Sequence, residues 1–243
     1  MIHLIAAAIK NDIAGVRETS PELWRQIRRY NLPVQLALAA ADEAAKAAED
    51  PAKAALFSLA PCQSGSPELH QWTQAAAASG PNGHIGNLRV NPTHTLHAVD
   101  NLGLSAFAIM QGNHEYCLGL GGAAGQAWCG LEAVGERLLA GCETEALLMA
   151  GDQEGEAGRN GLGIALLFSR EPKPYGRTGR FVKVESVERI RLGEMISVQP
   201  HAAAGLQAFV AGIHHGGSGR VAYEVAAELG NGMDKITIIL EIT

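Results

Sequence analysis

Apolar residues fall into short runs of strand length at several places in this sequence. The runs lie at residues 1–9, 54–59, 146–150, 161–169 and 235–242. Residues 146–150 and 161–169 are apolar at nearly every position, which is typical of strands buried on both faces of a sheet. Residues 181–192 mostly alternate apolar and polar side chains, and this predicts a half-exposed strand interrupted near Ser186.

Helical patterns or compositions alternate with these runs. They lie at residues 34–48, 67–78, 100–110, 124–139 and 200–213. A further helix is predicted to begin at Ser20, because serine is a common N-cap and Pro21 suits the first helical position. Residues 214–219 predict a glycine-rich loop, and residues 220–229 remain ambiguous between helix and strand.

The centre of the chain, residues 112–152, predicts a strand, a glycine-rich elbow, a helix and a second strand. The helix has six apolar residues near one side, and Gly141 can end it; the six are Ala127, Trp128, Leu131, Val134, Leu138 and Leu139. Such an elbow often presents a nucleophile beside the positive helix N-terminus. Here the tip is Ala123-Ala124, which has no nucleophilic atom.

Composition narrows the class of protein. The 243 residues are 47% hydrophobic and 18% charged, enough for a substantial core, and we expect a single domain over residues 1–243. The net charge of -6 argues against non-specific binding to nucleic acid or to an anionic membrane. The first eight residues are too short for a signal sequence or a membrane span. The four cysteines have no CxxC spacing, which favours reduced thiols in a cytoplasmic protein.

Few side chains suggest chemistry of their own. Cys129, five residues past the elbow tip, is interpreted mainly as a small buried apolar residue. His214 and His215 are interpreted as part of an exposed turn. The motif Gly161-Leu162-Gly163 follows no phosphate-binding pattern and predicts close backbone packing. No metal-ligand cluster surrounds the candidate histidines at residues 94 and 97, and no metal or other cofactor is predicted.

Several motifs in order resemble the N-terminal half of the β-ketoacyl synthases, over residues 91–187. They are Asn91-Pro92 followed by Ala98-Val99-Asp100-Asn101, a helix at 105–112, the strand, elbow and helix of 112–141, and the strands at 147–151 and 161–168. The resemblance implies a thiolase-like α/β fold. We expect a single ketosynthase N-terminal-type lobe, with a mixed central sheet flanked by helices and a buried helix after the elbow.

The same resemblance places the family's nucleophilic cysteine at Ala124, so no acyl-enzyme is expected there. Gln126 lies two residues further on; chain-length-factor subunits, the non-catalytic partners of ketosynthases, often have glutamine in place of the cysteine. About fifty residues follow Ile190, too few for the second thiolase half that contains the family's histidines. His201 before Ala202-Ala203-Ala204-Gly205 is one short match to a histidine motif of the family.

The resemblance therefore implies a non-catalytic subunit of the chain-length-factor type, as in polyketide, aryl polyene or other fatty-acid-like biosynthesis. Its expected partner is a full-length β-ketoacyl-ACP synthase in a heterodimer, with acyl carrier protein as a further candidate. Two alternatives stay open. One is an active acyltransferase or condensing enzyme that uses Cys129. The other is a homodimeric acyl-binding scaffold.

Two sets of residues are expected to meet the partner. In the family, the strand before the elbow is a sheet edge that pairs across the dimer, and here it would comprise His114, Glu115, Tyr116, Cys117, Leu118, Gly119 and Leu120. Tyr116 to Leu120 has no charge or proline to protect a free edge; a strand paired on both sides within the chain is the alternative. The resemblance also places four residues near the partner's acyl tunnel, namely His94, His97, Ala98 and Asn101.

Overall fold

The computed structural model describes residues 2–61, 101–121, 126–154, 160–176, 178, 180–192, 201–215, 217–229 and 232–243. The strands are β1 (Ile2–Lys10), β2 (Ala55–Leu59), β3 (Cys117–Leu120), β4 (Glu145–Glu154), β5 (Asn160–Ser169), β6 (Val182–Leu192), β7 (Gly219–Leu229) and β8 (Gly232–Ile242). The helices are α1 (Ala14–Thr19), α2 (Pro21–Ile27), α3 (Leu32–Ala45), α4 (Leu102–Gln111), α5 (Gln126–Ala140) and α6 (Ala202–His215), with a short 3₁₀ turn at Pro51–Lys53.

All eight of these strands form one mixed sheet in the order β3-β2-β4-β5-β1-β6-β8-β7. β2 pairs in parallel with both β3 and β4. The other neighbours are antiparallel. The runs at 146–150 and 162–168 are buried throughout, which confirms that the two strands containing them are covered on both faces.

Helices cover both faces of the sheet and enclose a hydrophobic core on each. α5 and α6 pack on one face, and α1 to α4 lie on the other. β1 shows the division: Leu4 belongs to the first core and Ile5 to the second, because successive strand side chains point to opposite faces. The expected α/β fold with a helix-flanked mixed sheet is therefore present.

Glycines let α3 approach the sheet at backbone distance. A Cβ atom on Gly151 would lie 2.1 Å from the Pro33 carbonyl oxygen, and one on Gly163 would lie 2.2 Å from the Leu36 carbonyl group. A Cβ atom on Gly161 would lie 2.5 Å from a Leu36 methyl carbon. The close-packing interpretation of the 161–163 motif is confirmed.

Several predicted boundaries need correction. β3 starts at Cys117 rather than His114, because the Asn113 side chain accepts a hydrogen bond from the Glu115 backbone N–H at 2.9 Å and forms a turn there. α6 continues through His215, so His214 and His215 end a helix and do not form a turn. The ambiguous segment 220–229 is part of β7.

Two helices and a strand differ from the predicted detail. The α2 helix starts at Pro21 as predicted, but Ser20 makes no side-chain capping bond. Leu139 is 62% exposed, whereas the other five apolar residues of the predicted α5 face are buried. The interruption predicted in β6 is a register shift between Val184 and Ser186 in its pairing with β8.

Candidate functional site

The candidate site lies where the three parallel strands end. β2, β3 and β4 run in the same direction, so their carboxyl ends meet at one edge of the sheet. Gly121 follows β3 at that edge, and α5 begins at Gln126, six residues after Leu120. Ala124, the expected nucleophile position, lies outside the described residues; its methyl side chain is a fact of the sequence.

The Gln126 side chain folds back over Gly121. A Cβ atom on Gly121 would lie 2.4 Å from Gln126 Oε1 and 2.6 Å from Nε2. The amide of the first α5 residue therefore occupies space that a side chain at position 121 would need. A larger residue at position 121 would therefore require the Gln126 side chain to move.

Close contacts fix α5 on the sheet behind the elbow. Trp128 is 1% exposed, and a Cβ atom on Gly130 would lie 3.1 Å from a Leu148 methyl carbon on β4. Gly141 has φ of +80° and follows the last helical residue, as predicted. Cys129 lies in the first turns of the same helix and is half-buried rather than fully buried.

A buried histidine and a buried carboxylate lie at the same end of the sheet. His201, 4% exposed, precedes α6, and its Nδ1 atom accepts a hydrogen bond from the Ala204 backbone N–H at 3.1 Å. Nδ1 also lies 3.8 Å from Oδ2 of Asp152, a 3% exposed residue near the end of β4. Nε2 is buried and has no hydrogen-bond partner within the described part of the chain.

This pair was largely missed from the sequence. The sequence motif around His201 is a short match to the family, whereas Asp152 has no motif of its own. The available signal is an acidic residue two positions after the apolar run 146–150, combined with a histidine before an alanine-rich helix. Neither residue alone predicts the contact, because 48 positions separate them.

β3 lies at one end of the strand order, so β2 is its only neighbour among the strands described. Among the described strands β3 is therefore an edge strand, and the alternative of a strand paired on both sides within the whole chain stays a prediction. The Tyr116 and Leu120 carbonyl oxygens accept hydrogen bonds from the backbone N–H groups of Leu56 in β2 and of Ala60 directly after it. Because backbone groups alternate along a strand, those of Cys117 and Gly119 face away from β2.

The candidate acyl-tunnel residues are only partly described. His94, His97 and Ala98 lie outside the described residues. Asn101, exposed at the start of α4, lies beside the edge strand: a Cβ atom on Gly119 would be 3.3 Å from the Asn101 Cβ atom. The structure therefore brings one of the four predicted residues to β3.

The remaining candidate residues do not form a site. Cys117 is exposed in the single chain, and partial burial raises the pKa of its thiol. The Tyr175 hydroxyl lies 3.3 Å from His214 Nε2 at the far end of α6. Within the described ranges, no three His, Cys, Asp or Glu side chains are arranged to hold a metal ion. No helix in these ranges is long and apolar enough to span a bilayer.

Comparisons with known proteins identify the fold. No family model matches the sequence, and no curated protein matches it. The solved structure of the ishigamide ketosynthase/chain length factor matches with a TM-score of 0.60 at 15% identity, over 92% of this chain and 84% of that chain. A tetronic acid condensing enzyme matches with a TM-score of 0.58 at 12% identity, over 99% and 100%.

A third match is 3-oxoacyl-[acyl-carrier-protein] synthase III from Aquifex aeolicus, with a TM-score of 0.54 at 12% identity over 99% of this chain and 100% of that one. At these identities the comparisons show the fold alone. The chain has the thiolase-like fold of ketosynthases and related condensing enzymes. The matched span includes α6, β7 and β8, the elements that follow the region of sequence resemblance.

Proposed function

We propose that this chain is a non-catalytic ketosynthase-like subunit that pairs with a full β-ketoacyl-ACP synthase. The pair would act in polyketide, aryl polyene or other fatty-acid-like biosynthesis. The proposal depends above all on β3, which has β2 as its only strand neighbour among the described residues and is followed in the sequence by Ala124 at the expected nucleophile position. The thiolase-like fold supports the kind of partner.

The β3 edge offers backbone groups for pairing. The N–H and C=O groups of Cys117 and Gly119 face away from β2, and the strand has no charged residue or proline to hinder a second strand. Along β3, Cys117 and Gly119 are exposed and Leu118 and Leu120 are half-buried. An added strand would bury this surface and give the exposed backbone groups hydrogen-bond partners.

The acyl tunnel is the second part of the proposal. Asn101 lies against Gly119, so a partner docked on β3 would come close to the start of α4. We infer that Asn101, with His94, His97 and Ala98, faces the partner's acyl chain. Extra bulk there would shorten the product, because a methylene-sized clash costs about 1–3 kcal/mol. Asn101→Trp, assayed by mass spectrometry of the products, tests this inference.

Co-expression with a full-length β-ketoacyl-ACP synthase from the same organism tests the pairing. Cys117→Pro removes an N–H group that faces away from β2, so it should abolish co-purification and leave the lone chain folded. Leu118→Pro is the matched control for a damaged sheet, because its N–H faces β2 and its loss should lower the melting temperature. The proposal fails if wild-type chains never co-purify and condensation proceeds unchanged without this chain.

The position of β3 at the edge of the described sheet also fits the second candidate, a homodimeric acyl-binding scaffold, because two copies of β3 can pair with each other. Analytical ultracentrifugation of the lone chain and of its mixture with the ketosynthase separates the two candidates. A homodimer that persists in the mixture favours the scaffold. The enzymatic alternative through Cys129 predicts covalent labelling of that thiol by a thiol-directed acyl probe, with Cys129→Ser as the control.

A further inference from the structure

The tyrosine that precedes the edge strand is held in place although it is partly exposed. Tyr116 is 37% exposed, and its ring centroid lies 5.7 Å from that of Phe57, with the rings tilted by 51°. Phe57 is 1% exposed and anchored in the core. The guanidinium carbon of Arg137 lies 4.2 Å from the Tyr116 ring centroid, within the range of a cation–π contact.

Arg137 is itself fixed by a buried carboxylate. Its Nε and Nη2 atoms donate hydrogen bonds of 2.7 and 2.6 Å to the two oxygens of Glu143. The Glu143 side chain is 6% exposed and that of Arg137 is 28% exposed. Such a bidentate pair orients the guanidinium plane and uses two of its five N–H groups. The others remain available for a further acceptor.

The result is a rigid aromatic and cationic surface at the beginning of β3, the edge strand among those described. Tyrosine and arginine are the residue types that dominate binding energy at interfaces, and side chains already held in place lose little conformational entropy on binding. We propose that Tyr116 and Arg137 form the anchor with which this chain selects its partner. This inference rests on the proposed pairing with a ketosynthase.

The side chains of Tyr116 and Arg137 determine which chemical groups a partner must offer at this position. The occupant that we infer is the edge strand of the ketosynthase, which would pair with the backbone of Cys117 and Gly119 because those groups face away from β2. Next to that strand it would offer an apolar side chain to the Tyr116 ring. It would also offer a main-chain carbonyl or carboxylate oxygen to Arg137. A partner with a lysine or arginine at this point would be rejected, because like charges in contact across an interface are unfavourable.

Another exposed apolar residue provides a matched control on the same helix. Leu139 is 62% exposed and lies two residues after Arg137, but it lines a groove with Ile2 and Val184 on the side toward β1 and β6. It has greater exposure than Tyr116 and lies away from β3. If general hydrophobicity drove association, Leu139 would matter at least as much as Tyr116.

The test measures the dissociation constant of the purified chain for the ketosynthase, together with the melting temperature of each lone variant. Tyr116→Ala should weaken binding about 30-fold or more, as expected for an interface hot spot, and Tyr116→Phe should stay within about threefold. Arg137→Lys should weaken binding about tenfold, because lysine cannot make the bidentate pair or stack on the ring. Leu139→Ser should change binding less than about twofold.

The outcomes separate this inference from the proposed function. If the wild-type chain binds, Cys117→Pro abolishes binding and Tyr116→Ala leaves it unchanged, the anchor is wrong and the pairing stands. If the wild-type chain does not bind, the pairing itself is wrong. If Tyr116→Ala lowers the melting temperature substantially, Tyr116→Leu is used in its place, because leucine keeps an apolar contact with Phe57. Unchanged binding of the folded Tyr116→Leu variant would then show that the anchor is wrong.

Discussion

The imidazole of His201 caps the N-terminus of α6, and this role predicts how substitutions at position 201 change the stability of the chain. Its Nδ1 atom accepts from the N–H of Ala204, three residues on, as the oxygen of a serine or asparagine cap usually does. Accepting there requires an unprotonated Nδ1, so the proton of the neutral ring is on Nε2. Asparagine at position 201 can keep the cap and removes Nε2. Glutamine keeps an N–H group near the Nε2 position but lacks an acceptor close to the helix.

The expected loss follows from the burial of the capped group. Ala204 is 9% exposed, so losing its acceptor leaves a nearly buried N–H without a partner, which costs about 1–3 kcal/mol. Removal of an N-cap alone costs about 1 kcal/mol. These estimates describe the same bond and are not added. We expect about 2 kcal/mol for His201→Ala and His201→Gln, and less than about 1 kcal/mol for His201→Asn.

Thermal unfolding and nitrogen NMR test the reasoning. At about 2–4 °C per kcal/mol for a chain of this size, His201→Ala and His201→Gln should melt about 4–8 °C lower, with His201→Asn close to wild type. Ring ¹⁵N shifts of the wild-type chain should show a proton on Nε2 and none on Nδ1. An asparagine variant as unstable as the alanine variant, or a protonated Nδ1 at neutral pH, refutes the cap.

Three further predictions concern packing, a turn and pH. Gly163→Ala should lower the free energy of unfolding by about 1–3 kcal/mol, because its Cβ would lie 2.2 Å from the Leu36 backbone. Gly15→Ala, where a Cβ would meet no atom within 4 Å, should stabilise α1 by about 0.5–1 kcal/mol. Equal melting temperatures of the two variants would contradict this prediction. Asn113→Ala should cost about 2 kcal/mol in chemical denaturation, because the buried amide donates to two carbonyls before β2 at 3.0 and 2.8 Å; wild-type stability would refute it. Burial and neighbouring positive charge lower the pKa of His3, so the unfolded chain takes up the proton first as the pH falls. The contribution of His3 to the free energy of unfolding should therefore be full above about pH 6.5 and decrease below it. In denaturant titrations, His3→Gln should reduce this decrease of stability with falling pH.

Patterns that reflect burial predicted the fold well. The apolar runs of β4 and β5 and the amphipathic pattern of α5 led to the right elements, because burial on a sheet constrains nearly every residue there. Boundaries were less predictable where a single contact decides them. The Asn113 side chain delays β3 by three residues, and the alternation that fails near Ser186 is a register shift between two strands. Neither contact is visible in the composition of its own segment.

The candidate site was predictable only where it depends on neighbours in sequence. The strand β3 and the helix α5 follow each other closely in the sequence, so the residue types alone indicated both elements. The contact between Asp152 and His201 depends on how α6 returns to the end of β4, which no local pattern encodes. The Arg137–Glu143 pair lies closer in sequence but is functionally informative only because Tyr116, from another element, stacks on it.

The two ends of the sheet differ in a way that favours association at β3. β7, at the opposite end, has Arg220, Glu224 and Glu228 in its sequence, and charged residues discourage strand addition. β3 has no charged residue, and it lies beside β2, every residue of which is buried. Since β2 is fully buried and β3 is half-exposed, a strand added beside β3 would bury side chains that are now partly accessible to solvent. Because the Gln126 side chain lies over Gly121, directly after β3, a partner bound on β3 would lie close to the start of α5.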